Sequence, residues 1–135
     1  MNKIVTFGVY DYFHLGHLRL FKQAKKHGDY LIVAVQDGDY IIKYKPDAKI
    51  LYSTEERVEM IKALRIVDDV VVYESVSAAT LEKIDFDTLA LGEDHKGGRF
   101  DEVEQWCREH GKHVVRLKRT PGIASSEIKA KKHQV

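Results

Sequence analysis

Residues 4–17 read IVTFGVYDYFHLGH, and this stretch decides the fold. Its first four residues are β-branched or aromatic and lead into Gly8, a pattern that predicts a buried strand ending in a loop. From Leu18 to Lys26 apolar residues recur three and four positions apart, which predicts an amphipathic helix. The chain is therefore expected to open with a strand, a loop and a helix.

The alternation of strand and helix continues to the end of the chain. Apolar runs predict four more strands at 30–35, 70–73, 88–91 and 113–117. Further helices are predicted after Ser53 and at 77–84, 101–110 and 125–132, whereas residues 36–52 are predicted to form a long loop. Ser53 begins its helix because Glu56, three residues later, completes a capping box.

This order of elements predicts an α/β fold: a doubly wound, Rossmann-like sheet of about five parallel strands with helices on both faces. We expect residues 1–135 to form a single domain. In such sheets, ligands bind at the carboxyl ends of the strands, where the strand order reverses. The loop at 8–17 follows the first strand and is therefore the first place to look for chemistry.

Composition excludes several classes of protein. The 135 residues include 22 Lys+Arg and 21 Asp+Glu, a net charge of +1, which fits neither a general nucleic-acid binder nor an acidic disordered chain. The single cysteine, Cys107, excludes an intramolecular disulfide and a zinc site made of thiolates. The sequence shows no signal peptide and no run of about 20 apolar residues, so we expect a cytoplasmic protein without membrane contact.

Two histidines in the first loop indicate an anion site. His14 and His17 flank Gly16, which lets the backbone approach a ligand just where a helix begins. Imidazoles at this point can donate hydrogen bonds to phosphate oxygens. The alternative is that His14 merely caps the helix and His17 lies on its surface. The paired spacing after a strand favours the phosphate site.

The first loop also resembles a known signature. Residues 14–17, His-Leu-Gly-His, match the His-x-Gly-His motif of the nucleotidyltransferase superfamily that includes the small cytidylyltransferases. Gly8 and Asp11 occupy their places in its Gly-Thr-Phe-Asp segment, with Val9 and Tyr10 in place of threonine and phenylalanine. Within this superfamily, the chain resembles the bacterial glycerol-3-phosphate cytidylyltransferases.

The resemblance continues along the chain. Lys43 and Lys45 resemble the family's Lys-x-Lys, and Arg57 and Arg65 fit two of its arginines. A surface salt bridge would place Arg57 equally well. Residues 92–94, Gly-Glu-Asp, look like the Gly-Asp-Asp that ends the fourth strand in the family.

Residues 119–126, RTPGIASS, are similar to the family's Arg-Thr-x-Gly-Ile-Ser-Thr-Thr signature. The resemblance implies transfer of CMP from CTP to a small phosphorylated acceptor, release of pyrophosphate, a homodimer, and a role in making precursors of cell-surface polysaccharides. It implies catalytic roles for His14, His17, Lys43, Lys45 and Arg119. It implies nucleotide contacts for Gly8, Val9, Tyr10, Asp11, Gly16, Arg65, Gly92, Asp94, Thr120, Gly122, Ile123, Ser125 and Ser126. Lys43, Lys45, Arg65 and Arg119 are expected to join the two histidines at one rim.

A divalent ion, Mg²⁺, is expected to accompany CTP. Asp11 and Asp94 are candidates for holding it, or for orienting the histidines and the ribose. The protein need not ligate the ion, because the nucleotide phosphates can carry it.

The identity of the phosphorylated acceptor and the nucleobase of the nucleotide are less well defined by the sequence. The glycerol-3-phosphate enzymes carry a Trp-x-x-Lys segment whose lysine helps bind the acceptor, but residues 76–79 here are Val-Ser-Ala-Ala. That phosphate contact is therefore missing or supplied from elsewhere, and the acceptor is glycerol 3-phosphate or a related polyol or sugar phosphate. Three alternatives stay open: an adenylyltransferase of the flavin-nucleotide or heptose-phosphate type, a non-catalytic nucleotide-binding domain, and nucleic-acid binding through the short basic tail at 129–133.

Overall fold

The computed structural model describes residues 1–93 and 97–118. In chain order, the elements within these ranges are β1 (Lys3–Gly8), α1 (Leu15–Lys25), β2 (Tyr30–Gln36), α2 (Gly38–Tyr44), α3 (Thr54–Lys62), β3 (Asp69–Tyr73), α4 (Ala78–Glu82), β4 (Thr88–Gly92), α5 (Gly98–Glu109) and β5 (His113–Leu117). Each of the five predicted strands is present. The predicted helix at 125–132 lies outside the described residues.

The strands form one parallel sheet in the order β3-β2-β1-β4-β5. The chain adds β2 and β3 on one side of β1 and then β4 and β5 on the other, so the order reverses between β1 and β4. Residues 31–35 of β2 are all buried, because helices cover the sheet on both faces. The α/β prediction and the doubly wound sheet are confirmed.

Two apolar cores lie on opposite faces of the sheet. Helices α1 and α3 contribute Phe21, Ala24 and Ile61 to one core, and α4 and α5 contribute Leu81 and Val103 to the other. No helix in the described part of the chain has the length and apolar character of a membrane span. The two cores leave the ends of the strands as the accessible edges of the sheet.

The structure corrects the starts of two predicted helices and adds a third helix that was not predicted. Helix α1 begins at Leu15 instead of Leu18, because His14 caps it. Helix α5 begins at Gly98 instead of Asp101. The predicted loop at 36–52 contains α2, a helix that buries none of its residues and therefore lacks the apolar period by which helices are recognised.

Candidate active site

The loop that joins β1 to α1 lies at the carboxyl edge of the sheet, at the point where the strand order reverses. Gly92 ends the neighbouring strand β4 at the same edge. This arrangement places the His14–His17 segment in the position where ligands bind in open α/β sheets. The sequence-based location of the site therefore agrees with the topology.

The two histidines together form the first turn of α1. The backbone N–H of Gly16 donates to Nδ1 of His14 at 3.0 Å, and the backbone N–H of His14 donates to Nδ1 of His17 at 3.2 Å. This is a capping box built from two imidazoles instead of the more common serine and glutamate. The rings stack with their centroids 3.8 Å apart. Local capping and an anion-binding role are thus compatible, because only one nitrogen of each ring is used in the cap.

These bonds define the protonation of both rings. A nitrogen that accepts a hydrogen bond carries no proton, so each imidazole is neutral and holds its proton on Nε2. Burial, helped by the neighbouring His14, lowers the pKa of His17 to about 4. His17 is consequently a neutral hydrogen-bond donor at physiological pH and not an imidazolium.

Aromatic rings hold His17 in place. The ring of Tyr10 meets the His17 ring edge-on at 5.3 Å, and the Phe13 ring stacks on it at 5.4 Å. Tyr10 has a φ of 58°, which turns its side chain into the core beneath Gly8. A Cβ on Gly8 would come within 2.6 Å of the tyrosine ring, so glycine is required there. The Tyr10 side chain is therefore a support for His17, and any nucleotide contact from this residue would come from its backbone.

Asp11 ties the first loop to the segment that precedes α3. It is buried, and its two carboxylate oxygens accept from the backbone N–H groups of Leu51 (2.8 Å) and Tyr52 (3.1 Å). Both oxygens are thus used by backbone donors. The described residues contain no group of three His, Cys, Asp or Glu side chains suited to a metal ion. Asp11 therefore positions the first loop against the segment before α3, and the other carboxylate candidate, Asp94, lies outside the described residues.

The environment of Arg57 differs from the surface position considered for it from the sequence. It is fully buried, so the surface salt bridge considered for it is wrong. Its Nη1 donates to the carbonyl oxygens of Val9 and Gln36, each at 2.8 Å, and its Nε donates to the Tyr52 carbonyl at 3.2 Å. The Nη2 atom contacts the hydroxyl of Thr54 at 3.2 Å. One guanidinium therefore joins the carboxyl ends of β1 and β2 to the start of α3.

The sequence contained a signal for this burial. The capping box at Ser53 sets the start of α3, and Arg57 then lies four residues before Ile61, on the face of the helix that packs inward. Burial lowers the pKa of Arg57, and the nearby carboxylates of Asp11 and Asp37 oppose that shift. An arginine still keeps its charge at neutral pH.

The expected cationic rim is partly supported. Lys43 lies in the last turn of α2 and Lys45 directly follows it. Both lysines are exposed, and α2 follows the carboxyl end of β2, which places them at the same edge as the histidines.

Arg65 lies elsewhere. It is exposed and precedes β3, so it is at the amino-terminal edge of the sheet, near the ion pair of Lys25 with Asp68. The expectation that Arg65 joins His14 and His17 at one rim of the same chain is wrong, because α3 has returned the chain to the opposite edge.

Several expected site residues lie outside the described residues: Asp94, Arg119, Thr120, Gly122, Ile123, Ser125 and Ser126. The described ones at the carboxyl edge include Val9, which is exposed, and Gly92. Cys107 is buried in the α5 core, where burial raises the pKa of its thiol to about 11. It is therefore a packing residue, as predicted, and not a nucleophile.

The family model described as cytidylyltransferase-like matches residues 5–131. The chain belongs to this cytidylyltransferase-like family. It is 36% identical over 132 residues to the glycerol-3-phosphate cytidylyltransferase of Staphylococcus aureus, covering 96% of this chain and 93% of that protein. This similarity makes the protein an enzyme of the cytidylyltransferase type, which releases pyrophosphate.

Two other similarities add to this assignment. The FAD synthase of Ferroglobus placidus is 38% identical over 110 residues, 81% of this chain and 67% of that protein. Among solved structures, the lipopolysaccharide core biosynthesis protein from Thermoplasma volcanium superposes with a TM-score of 0.71 at 25% identity, covering 89% of this chain and 97% of that one. Proteins that resemble this chain in sequence or in fold thus include some that are not named cytidylyltransferases.

Proposed function

We propose that this cytidylyltransferase transfers CMP from CTP to a small phosphorylated acceptor, either glycerol 3-phosphate or a related polyol or sugar phosphate. A phosphate oxygen of the acceptor attacks the α-phosphorus of CTP, a new P–O bond forms, and the bond to pyrophosphate breaks. The product is a CDP-linked compound. Catalysis of such an in-line displacement depends on positioning and on stabilising negative charge, so it needs no covalent nucleophile.

One observation carries the proposal: two neutral imidazoles, fixed through Nδ1, form the first turn of a helix at the reversal point of the sheet. Donors on Nε2 can hydrogen-bond to phosphate oxygens as charge builds on them in the transition state. A neutral donor suits this task because its protonation state does not change near pH 7. The similarity to the S. aureus enzyme supports the choice of CTP and a phosphorylated alcohol.

The remaining groups would neutralise charge. Lys43 and Lys45, on α2 and just after it, would approach the phosphates of both reactants as flexible point charges. Arg119 would contact the triphosphate, with Ser125 and Ser126 beside it. Mg²⁺ would enter with CTP on the nucleotide phosphates. Asp11 would act by fixing the first loop through Leu51 and Tyr52.

The test is a screen of phosphorylated alcohols and sugars with CTP or ATP, with pyrophosphate release as the readout. Turnover with CTP and a polyol or sugar phosphate supports the proposal and identifies the acceptor. Pyrophosphate release with ATP alone would overturn it.

A second candidate rests on the similarity to the FAD synthase of Ferroglobus placidus. An adenylyltransferase would use the same histidine pair but would accept ATP and a flavin or sugar phosphate. Because the S. aureus relative is matched over more of both chains, cytidylyl transfer is the stronger proposal. FMN belongs in the screen for this reason.

We also infer that the protein is a homodimer, as the family resemblance implies. Sedimentation equilibrium tests this, and a mass of about 15.5 kDa would contradict it.

A further inference from the structure

A groove opens between the segment that follows β3 and the first turns of α5. Its volume is about 830 Å³, and its walls include Ser75, Ser77 and Ala78 on one side and Arg99, Asp101 and Trp106 on the other. Ser75 follows the carboxyl end of β3, and Arg99 lies in the first turn of α5. The groove therefore opens at the same edge of the sheet as the histidine loop.

Among the described residues that line this groove, Arg99 is the one cation. It is exposed, and it forms no hydrogen bond or ion pair with any residue of 1–93 or 97–118. Arg99 also acts on Tyr73, the last residue of β3. Burial raises the pKa of the Tyr73 phenol, and the charges of Arg57 and Arg99 oppose that rise. A guanidinium that pairs with no carboxylate among residues 1–93 and 97–118, at the edge of a groove, is suited to a bidentate contact with phosphate.

The opposite wall lacks a charge of its own. Residues 76–79 are Val-Ser-Ala-Ala, so the acceptor-phosphate contact expected from a lysine there is absent. The groove also holds the carboxylates of Asp101, Glu102 and Glu109, which repel phosphate but accept hydrogen bonds from hydroxyl groups. This combination fits a ligand with one phosphate and several hydroxyls.

We propose that Arg99 binds the phosphate of the acceptor and that the acceptor's hydroxyl-bearing carbons extend along α5 towards Trp106. The proposal rests on the proposed function, for which it names the acceptor-binding residue. Trp106 lies seven positions after Arg99 along α5, a rise of about 10 Å, which is long enough for a polyol chain or a sugar ring.

The test is the binding of glycerol 3-phosphate and ribitol 5-phosphate by calorimetry, with steady-state kinetics in the presence of CTP. Arg99→Gln should weaken binding of the phosphate ester and raise its KM about tenfold or more, as expected for loss of a charge-assisted contact, and should leave the KM for CTP within twofold. Arg99→Lys should retain part of the affinity. Arg108→Gln is the matched control, because Arg108 is an exposed arginine of the same helix, pairs with Glu104 at 3.5 Å and does not line the groove.

A rescue variant separates a phosphate contact from a general effect on α5. Ala78→Lys returns a cation to the groove from the opposite wall and should restore ester binding in the Arg99→Gln background. Equal binding by Arg99→Gln and the wild type, or no ester bound by either, would overturn the inference. Ester binding that depends on Arg99, without pyrophosphate release from CTP, would support the inference and contradict the proposed function alone.

Discussion

At the scale of single residues, His17 combines two tasks that can be separated. Its Nδ1 closes the helix cap, and its Nε2–H is the proposed phosphate donor. Asparagine keeps a short acceptor for the cap but removes the ring donor. We expect His17→Asn to lower kcat about a hundredfold or more while changing the melting temperature little. His27→Ala, an exposed histidine at the far end of α1, should leave kcat unchanged. Wild-type turnover in His17→Asn would contradict the proposed role.

The low pKa of His17 also predicts a dependence of stability on pH. The pKa falls from 6.5 in the unfolded chain to about 4 in the folded protein, so the unfolded state binds the extra proton first. The free energy of unfolding should therefore be fully retained above pH 6.5 and decline as the pH falls towards 4, by about 2 to 3 kcal/mol from this residue. Urea unfolding at pH 7 and pH 4.5 measures the change. His17→Asn should show a decline smaller by that amount, and an equal decline in both proteins would refute the assignment.

At the scale of secondary structure, Arg57 holds three elements together. Its guanidinium donates hydrogen bonds to the carbonyl groups of Val9 after β1, Gln36 at the end of β2 and Tyr52 before α3. Arg57→Met should remove these three buried hydrogen bonds and lower the free energy of unfolding by about 3 kcal/mol or more. Lys62→Met, an exposed residue of α3, is the control and should change it by less than about 0.5 kcal/mol. The measurement is urea denaturation at pH 7.

Helices were predicted from sequence where they bury an apolar face and missed where they do not. The strands were found because runs such as YLIVAV leave only a buried strand as an explanation. Helix α2 was missed because it buries no residue. Arg57 was undervalued because a charged residue is normally exposed, although its spacing from Ile61 indicated the inner face of α3. Arg65 was misplaced because motif order does not reveal to which edge of the sheet a segment returns.

At the scale of the whole molecule, Cys107 is a reporter of cooperative unfolding. It is fully buried in the core beneath α4 and α5, and burial raises the pKa of its thiol to about 11. A thiol reagent at neutral pH should therefore label the native protein only through unfolding. We expect the labelling rate to rise with urea in parallel with the loss of helical circular dichroism. Rapid labelling of the native protein would show that α5 opens on its own.

The proposed site draws on segments that follow three neighbouring strands. The histidine loop follows β1, the lysines follow β2, and the groove with Arg99 lies between the end of β3 and α5. The position of the histidine site could be predicted from sequence because topology fixes where strands end. The groove could not, because it arises from the packing of α4 and α5, two segments that are about 20 residues apart in the chain.

The double-imidazole cap has a consequence for how the enzyme meets its nucleotide. Each ring is held by its Nδ1 hydrogen bond without a ligand, so in the proposed role it has little rotamer freedom left to lose when the nucleotide binds. If the two rings act as the proposed donors, the entropy cost of aligning them is met during folding, when α1 forms. Ligand affinity and helix nucleation are therefore linked: a solvent condition that frays the first turn of α1 should slow turnover well before the sheet unfolds.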